Sequence, residues 1–330
     1  MVPLSPEVNP RVDPAAPGPA PPRRRRRVRR WLVGLVGLTA LWLLASLIAV
    51  HQLTRRGRPR FAEPVPVVSW AHFEPVRLPT RDGHVLGAWY AEGPEAGPSV
   101  VMLHGNGRHR GDSLYRAELF AGLGCSVLPI THRAHGDSTG DYNDIGYSAR
   151  LDVIAAVEFL ERKRPGRPIL IQGASLGAAA ATFASAELGG RIRGYLLEAP
   201  YSDLKAAVRN RTGDLLPIGL EWLIYRGLVA TAPLVLPDLD KIAPREAIAG
   251  VPADVPVWIM AGRGDTKATI EQVDKVLDPV RDHGRLVVFE RGKHLGFLQA
   301  DLALYRSTVV EFLREAAGPR LNSARSPPRR

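Results

Sequence analysis

The feature that most constrains this chain is an alternation. Between Phe61 and Ala316, short apolar runs of strand length recur, with longer stretches of helical periodicity between them. The runs are "SVVMLHG" (Ser99 to Gly105), "CSVLPI" (Cys125 to Ile130), "PILIQG" (Pro168 to Gly173), "RGYLLEAP" (Arg193 to Pro200), "VPVWIMAG" (Val255 to Gly262) and "RLVVFE" (Arg285 to Glu290). Their near-continuous hydrophobicity suits strands covered on both faces, the environment of a parallel sheet. The segments between them, about 111–122, 144–163, 175–186, 269–282 and 297–316, are helix-like. In the second, Leu151, Ile154, Ala155, Val157 and Leu160 recur at helical spacing. Such alternation implies right-handed crossovers, so residues 67–316 read as one α/β domain: a mostly parallel central sheet with helices on both faces. "VPVVSWAHFEPVRLPT" and "GHVLGAWYAE", joined near Arg81 to Gly83, read as an antiparallel hairpin that begins the sheet.

Residues 200–250 break the rhythm. "LLPIGLEWLIYRGLVATAPLVL" (Leu215 to Leu236) is apolar but interrupted by Pro217, Gly219, Gly227 and Pro233. It reads either as a peripheral helix of the core or as a small helical cap over a pocket, since long inserts in compact domains tend to be functional.

Charge is concentrated outside this domain. Residues 1–60 hold twelve arginines against Glu7 and Asp13, which accounts for +10 of the formal net charge of +11. Arg320, Arg325, Arg329 and Arg330 add +4 in the tail at 317–330, so the body is slightly acidic. A folded nucleic-acid surface needs a basic face, and none is indicated. Residues 1–30, rich in proline and arginine, read as a disordered tail, as does the basic segment 317–330.

Between two arginine clusters lies "WLVGLVGLTALWLLASLIAV", Trp31 to Val50, twenty residues without a charge. At about 1.5 Å per residue that length crosses a hydrocarbon core of about 30 Å. A core helix would show a polar face and this segment shows none. A cleaved signal peptide is the other reading, but the run exceeds the usual apolar length of about 7 to 15 residues and lacks a small-x-small cleavage site before His51. The expectation is a single-span anchor at 31–50 in contact with membrane lipids, followed by a basic linker at 51–66. Seven arginines precede the span closely and four follow it, so the positive-inside bias favours a cytoplasmic N-terminus and a body outside the cytoplasm. The single Cys125 cannot form an internal disulfide and does not discriminate compartments.

The chemistry is suggested at "ILIQGASLGAAAA", Ile169 to Ala181. Here "GASLG", Gly173 to Gly177, is a G-x-S-x-G between a strand and a helix. One reading is a glycine-rich turn with an N-capping serine. The other is a nucleophile elbow, a turn so tight that side chains flanking the serine at two residues' distance would collide. The rest of the chain favours the second. A serine nucleophile needs a base and a carboxylate that orients it, and in this arrangement they follow in the order acid, then histidine, after later strands. "VWIMAGRGD" places Asp265 past one strand and "VVFERGKH" places His294 past the next. Asp203, in "EAPYSDL", is a rival for the acid. "LHGNG", Leu103 to Gly107, is suited to supply one backbone N–H of an oxyanion hole, from Asn106, with the other from Leu176. His104, His132 and His135 form no recognised zinc spacing, and His104 is expected to order its own loop.

With these elements quoted, the chain resembles the α/β-hydrolase superfamily, over roughly residues 67–312. It looks closest to single-span membrane-anchored hydrolases of serine aminopeptidase-like or monoacylglycerol lipase-like type. "LHGNG" is similar to their His-Gly-Asn loop and "THRAHGDSTG" to their Arg-Gly-x-Gly-x-Ser segment, with Ala134 in place of the usual glycine and His132 where a tyrosine often stands. "DTKATIEQ" from Asp265 departs from the usual continuation toward a valine-proline pair. The resemblance implies a serine hydrolase acting on a small-molecule acyl substrate, ester or lipid-like, with no metal or organic cofactor. A peptidase, a thioesterase and a noncatalytic binding protein of the same fold are the alternatives.

Overall fold

The structure, a computed structural model, describes residues 23–318, with side chains from Arg26 onward. Of the tails read as disordered at 1–30 and 317–330, residues 1–22 and 319–330 lie outside the described residues. Contacts divide the chain into two units, residues 1–44 and 45–330.

Helix α1 runs over Arg23–Leu53, so it begins within the arginine cluster and continues three residues beyond the apolar run. The proposed boundary at residue 30 between tail and span is therefore not a boundary in backbone structure: arginines are good helix formers, and nothing between Arg23 and Trp31 interrupts the ladder. Trp31, Val33, Leu35 and Leu38 are exposed.

In the second unit, strands β1 (Glu74–Pro79), β2 (Val85–Tyr90), β3 (Ser99–Leu103), β4 (Ser126–Ile130), β5 (Ile169–Ala174), β6 (Gly194–Glu198), β7 (Val257–Gly262) and β8 (Gly284–Phe289) form one sheet. Their order is β1-β2-β4-β3-β5-β6-β7-β8. The first two strands pair antiparallel, as does β2 with β4, and every later pairing is parallel. Every residue of β3 to β7 is buried, which is why those runs lack polar alternation. All six runs read as strands, and the hairpin, are in place.

The helices are α2 (Leu114–Gly122), α3 (Arg150–Lys163), α4 (Leu176–Leu188), α5 (Leu204–Leu215), α6 (Leu220–Thr231), α7 (Pro244–Ala247), α8 (Ile270–Leu277), α9 (Phe297–Ala300) and α10 (Leu302–Ala317). Four are shorter than their sequence periodicity suggests, and in α2 the missing start is a 3₁₀ turn at Arg110–Ser113. Helix α3 begins at Arg150 rather than 144, because Ile145 and Gly146 take positive φ values of 60° and 118° and turn the chain toward α4. Helix α8 ends at Leu277 and tightens into a short 3₁₀ turn at Asp278–Val280, where Pro279 has no N–H to continue the ladder. The 297–316 segment is broken at Asp301, which is extended and whose side chain accepts the Leu304 N–H at 2.9 Å, capping α10.

Residues 200–250 form α5, α6 and α7 with short 3₁₀ turns between them. Leu204, Ala207, Leu228 and Leu236 make a second apolar cluster, apart from the main core, and Val50 from the end of α1 is one of its members. The 51–66 segment is accordingly not a free linker. Arg56 donates to the carbonyls of Gly136 (3.2 Å), Ser138 (2.6 Å) and Gly140 (2.7 Å), and buried Glu63 accepts from Arg110 (3.2 Å) and Thr131 (2.9 Å). Arg56 thus satisfies loop carbonyls, and Glu63 a buried cation.

Candidate active site

Four loops converge at the carboxyl edge of the sheet, where open α/β folds build their sites. The first is the corner between β5 and α4. Ser175 stands at φ 50°, ψ −108°, a left-handed conformation that a side-chain-bearing residue rarely adopts. The glycines flanking it are obligatory for separate reasons. A Cβ on Gly173 would lie 2.7 Å from the Gly177 carbonyl oxygen, across the corner, whereas one on Gly177 would lie 2.5 Å from the Leu103 carbonyl oxygen of β3. The corner is thus tight against itself and against the neighbouring strand.

His294, in the loop after β8, lies between the other two groups. Its Nε2 is 3.1 Å from Ser175 Oγ and its Nδ1 is 2.7 Å from Asp265 Oδ2. With Nδ1–H donating to the carboxylate, Nε2 is left as an acceptor facing the hydroxyl. Asp265, in the loop after β7, is buried, and its other oxygen accepts the backbone N–H groups of Lys267 (2.8 Å) and Ala268 (3.0 Å). The unusual "DTKA" continuation therefore makes a turn that clamps the carboxylate. Asp203, the rival acid, is otherwise engaged: it caps α5 through the Ala206 N–H at 2.8 Å and pairs with Arg245 at 3.1 Å.

The loop after β3 brings up the expected N–H groups. Gly105 lies so near the serine that an added Cβ would be 3.5 Å from Ser175 Cβ. The Asn106 N–H donates to no acceptor among the described residues, and the Leu176 N–H, the first of α4, precedes that helix's first bond, from Ala179 to Ser175. The loop is held by two imidazoles. His104 donates from Nδ1 to the Gly105 carbonyl at 2.8 Å and accepts the His132 N–H on Nε2 at 3.0 Å. His135 donates to the Arg133 carbonyl at 2.8 Å and accepts the Gly107 N–H at 3.1 Å. Burial holds His104 well below the usual histidine range and lowers His135 to about 4, so both are neutral near pH 7. His132 faces Asp152 at 3.2 Å, and Asp152 also accepts from Arg133 at 2.8 Å. Ala134 sits at φ 58°, a left-handed conformation that glycine adopts more readily than alanine.

Ser175, Asp265 and His294 are therefore within hydrogen-bond reach in sequence, and Asn106 and Leu176 flank the serine. Sequence reasoning missed what lies under and around them. Glu198, at the end of β6, is fully buried and accepts from Arg116 Nε (2.7 Å), Gln172 (3.0 Å) and the Tyr305 hydroxyl (2.7 Å), while its carbonyl accepts the Ser175 N–H at 2.8 Å. The signal was a carboxylate inside the apolar "YLLEAP". Ser175 opens into a cavity of about 550 Å³ lined also by Arg108, Arg116, Arg211 and Lys267. An apolar cavity of about 160 Å³, lined by Val50, Leu204, Leu228 and Leu236, shares Asn106 and Arg211 with it.

Comparison with known proteins agrees with this architecture. Residues 94–230 match the family described as serine aminopeptidase, S33. Rv2307c, an uncharacterized protein of Mycobacterium tuberculosis, is 30% identical over 252 residues, 73% of this chain and 79% of that protein. Human monoglyceride lipase is 31% identical over 128 residues, 37% of this chain and 42% of the lipase. The esterase Pf2001 of Pyrococcus furiosus shares the fold at a TM-score of 0.62 and 24% identity, covering 79% of this chain and 99% of the esterase. A β5–α4 corner of this geometry on an eight-stranded, mostly parallel sheet, with relatives at these coverages, places the chain in the α/β-hydrolase superfamily.

Proposed function

We propose that the protein is a membrane-anchored serine hydrolase that cleaves an ester through an acyl-enzyme on Ser175. Ser175 Oγ attacks the acyl carbon as His294 Nε2 takes its proton. The carbonyl oxygen becomes an oxyanion held by the Asn106 and Leu176 N–H groups, and Asp265 steadies the imidazolium. Collapse breaks the bond to the leaving alcohol, which receives the proton from His294. Water, deprotonated by the same imidazole, then attacks the acyl carbon, and cleavage of its bond to Ser175, whose oxygen takes the proton from His294, releases the acid and restores the free serine. The observation that carries this reading is His294 poised between Ser175 at 3.1 Å and Asp265 at 2.7 Å.

An ester is favoured over a peptide with a free N-terminus by the site's charge. An α-ammonium group would need a carboxylate, yet the cavity over Ser175 is lined by Arg108, Arg116, Arg211 and Lys267, and Asp112 is the one carboxylate in that lining among the described residues, Glu198 matching Arg116 from beneath. The apolar cavity beside it suits an acyl chain, and the names of the monoglyceride lipase and esterase relatives agree. Anchoring is supported by α1, whose apolar stretch is mostly exposed, and the arginine distribution supports a cytoplasmic N-terminus with the catalytic unit outside. Hydrolysis of p-nitrophenyl esters of increasing chain length by the full chain in neutral detergent tests the activity. Turnover that Ser175→Ala abolishes is expected; equal turnover by that variant contradicts the proposal.

A further inference from the structure

The cations around Ser175 differ in whether they are already matched. Arg116 is joined to Glu198 by a bidentate pair, Nε and Nη2 each donating to one carboxylate oxygen. Arg108 faces Asp112 at 3.5 Å. Arg211 and Lys267 have no carboxylate at ion-pair distance among the described residues; the Arg211 guanidinium donates only to the Ala207 carbonyl, at 3.0 Å. Burial pulls Arg211 below its ordinary value, offset in part by Tyr201 and Asp265, neither at hydrogen-bond distance from it. Asn210 donates to the Lys267 carbonyl at 3.2 Å, tying the middle of α5 to the acid loop, and Arg211 and Lys267 both line the cavity over Ser175.

A partly buried guanidinium without a counter-charge is destabilising unless a ligand supplies one. Arg211 also lines both cavities, so a molecule reaching from the apolar cavity to Ser175 must pass it. Neutral acyl esters would use the apolar cavity and leave Arg211 and Lys267 unmatched.

We propose that the substrate is a single-chain acyl ester whose leaving group carries an anion, a carboxylate or a phosphate. The chain lies in the apolar cavity and the anion is held between Arg211 and Lys267. This rests on the reading of Ser175 as the nucleophile. Arg211 supplies a planar fork suited to two oxygens and Lys267 a mobile point charge, so the pair accommodates either anion.

The test compares three dodecanoyl esters on the full chain in neutral detergent: 1-dodecanoylglycerol 3-phosphate, O-dodecanoyl lactate and neutral 1-dodecanoylglycerol. kcat/KM for at least one anionic ester is expected to exceed that for the neutral ester by about tenfold or more, the scale of a charge-assisted contact. Preference for only one of the two identifies the anion. Arg211→Gln is expected to lower the anionic-to-neutral ratio by about tenfold, with Arg211→Lys between it and the wild type. Lys267→Gln changes an exposed side chain while keeping the backbone N–H that Asp265 uses, so it carries the test if the arginine variant does not fold. Protection of Ser175 from a fluorophosphonate by dodecyl phosphate, and not by dodecanol, is the matching binding readout. A ratio near one in the wild type, or a ratio unmoved by either Gln variant, overturns the proposal while leaving a serine hydrolase in place. Hydrolysis retained by Ser175→Ala overturns both.

Discussion

Ser175 holds its left-handed backbone only because Gly173 and Gly177 let the corner close on itself and on β3. Gly177→Ala would drive a methyl into the Leu103 carbonyl, which β3 cannot move without disturbing its pairing with β4 and β5. A loss of about 2 kcal/mol or more is expected in thermal or denaturant unfolding, in the range of overpacking and disallowed-backbone effects. The account of catalysis predicts that His294→Ala lowers kcat by about 10⁴-fold or more, and that Asp265→Asn approaches this by leaving the imidazole in the wrong tautomer. KM should move little in either variant. The residues behind these predictions were legible because their order along the chain is itself a constraint: serine, acid and histidine each follow a recognisable strand. Arg211, Lys267 and Glu198 were not legible in the same way. Nothing local to "AVRNRTG" distinguishes an arginine that lines a cavity from one in solvent, and Glu198 gains its meaning only from Arg116, Gln172 and Tyr305, which lie far from it in sequence.

Among the elements, the loops after β3 and β4 act as a pair, because His104 and His135 join them through backbone hydrogen bonds that require neutral rings. In the fold His135 titrates at about 4, against 6.5 when unperturbed, so between those values the unfolded chain takes up a proton that the folded chain refuses. Stability therefore rises with pH across that window and is lost as pH falls from about 6.5 toward 4. His104, also displaced downward, adds to the same trend. Melting temperatures measured from pH 4 to 7 should climb with pH, and His135→Gln should flatten that climb in part; an unchanged slope would contradict the role given to His135. Beneath these loops, Glu198→Ala leaves the Arg116 guanidinium buried without its partner and is expected to cost about 3 to 5 kcal/mol in unfolding free energy. Strand runs were easy to read because burial on both faces removes ambiguity, whereas helix starts were not. Residues 144–149 continue an apolar rhythm, yet Gly146 packs where a Cβ would be 3.1 Å from the Leu176 carbonyl, a tertiary demand that periodicity does not register.

For the whole molecule, the cut between the two units falls between Leu44 and Ala45, earlier than charge and hydropathy suggest. Val50 and Arg56 belong to the folded unit, so a chain begun at Ala45 should release from membranes and keep hydrolysing a soluble ester. A chain begun at Phe61 loses the Arg56 hydrogen bonds and the Val50 contact, and should be less stable by about 2 to 4 kcal/mol. Chemical denaturation of the two distinguishes these outcomes, and equal stability would return residues 51–60 to the status of a linker. A reporter fused after Arg330 that is active only in the cytoplasm should stay silent, and a signal from it would reverse the orientation. Activation of Ser175 by His294 is measured most directly by labelling the detergent-solubilised full chain with a fluorophosphonate and mapping the modified peptide. Modification is expected at Ser175 alone, absent in Ser175→Ala and slowed by orders of magnitude in His294→Ala. An unlabelled wild-type chain, or labelling that persists in Ser175→Ala, would contradict it.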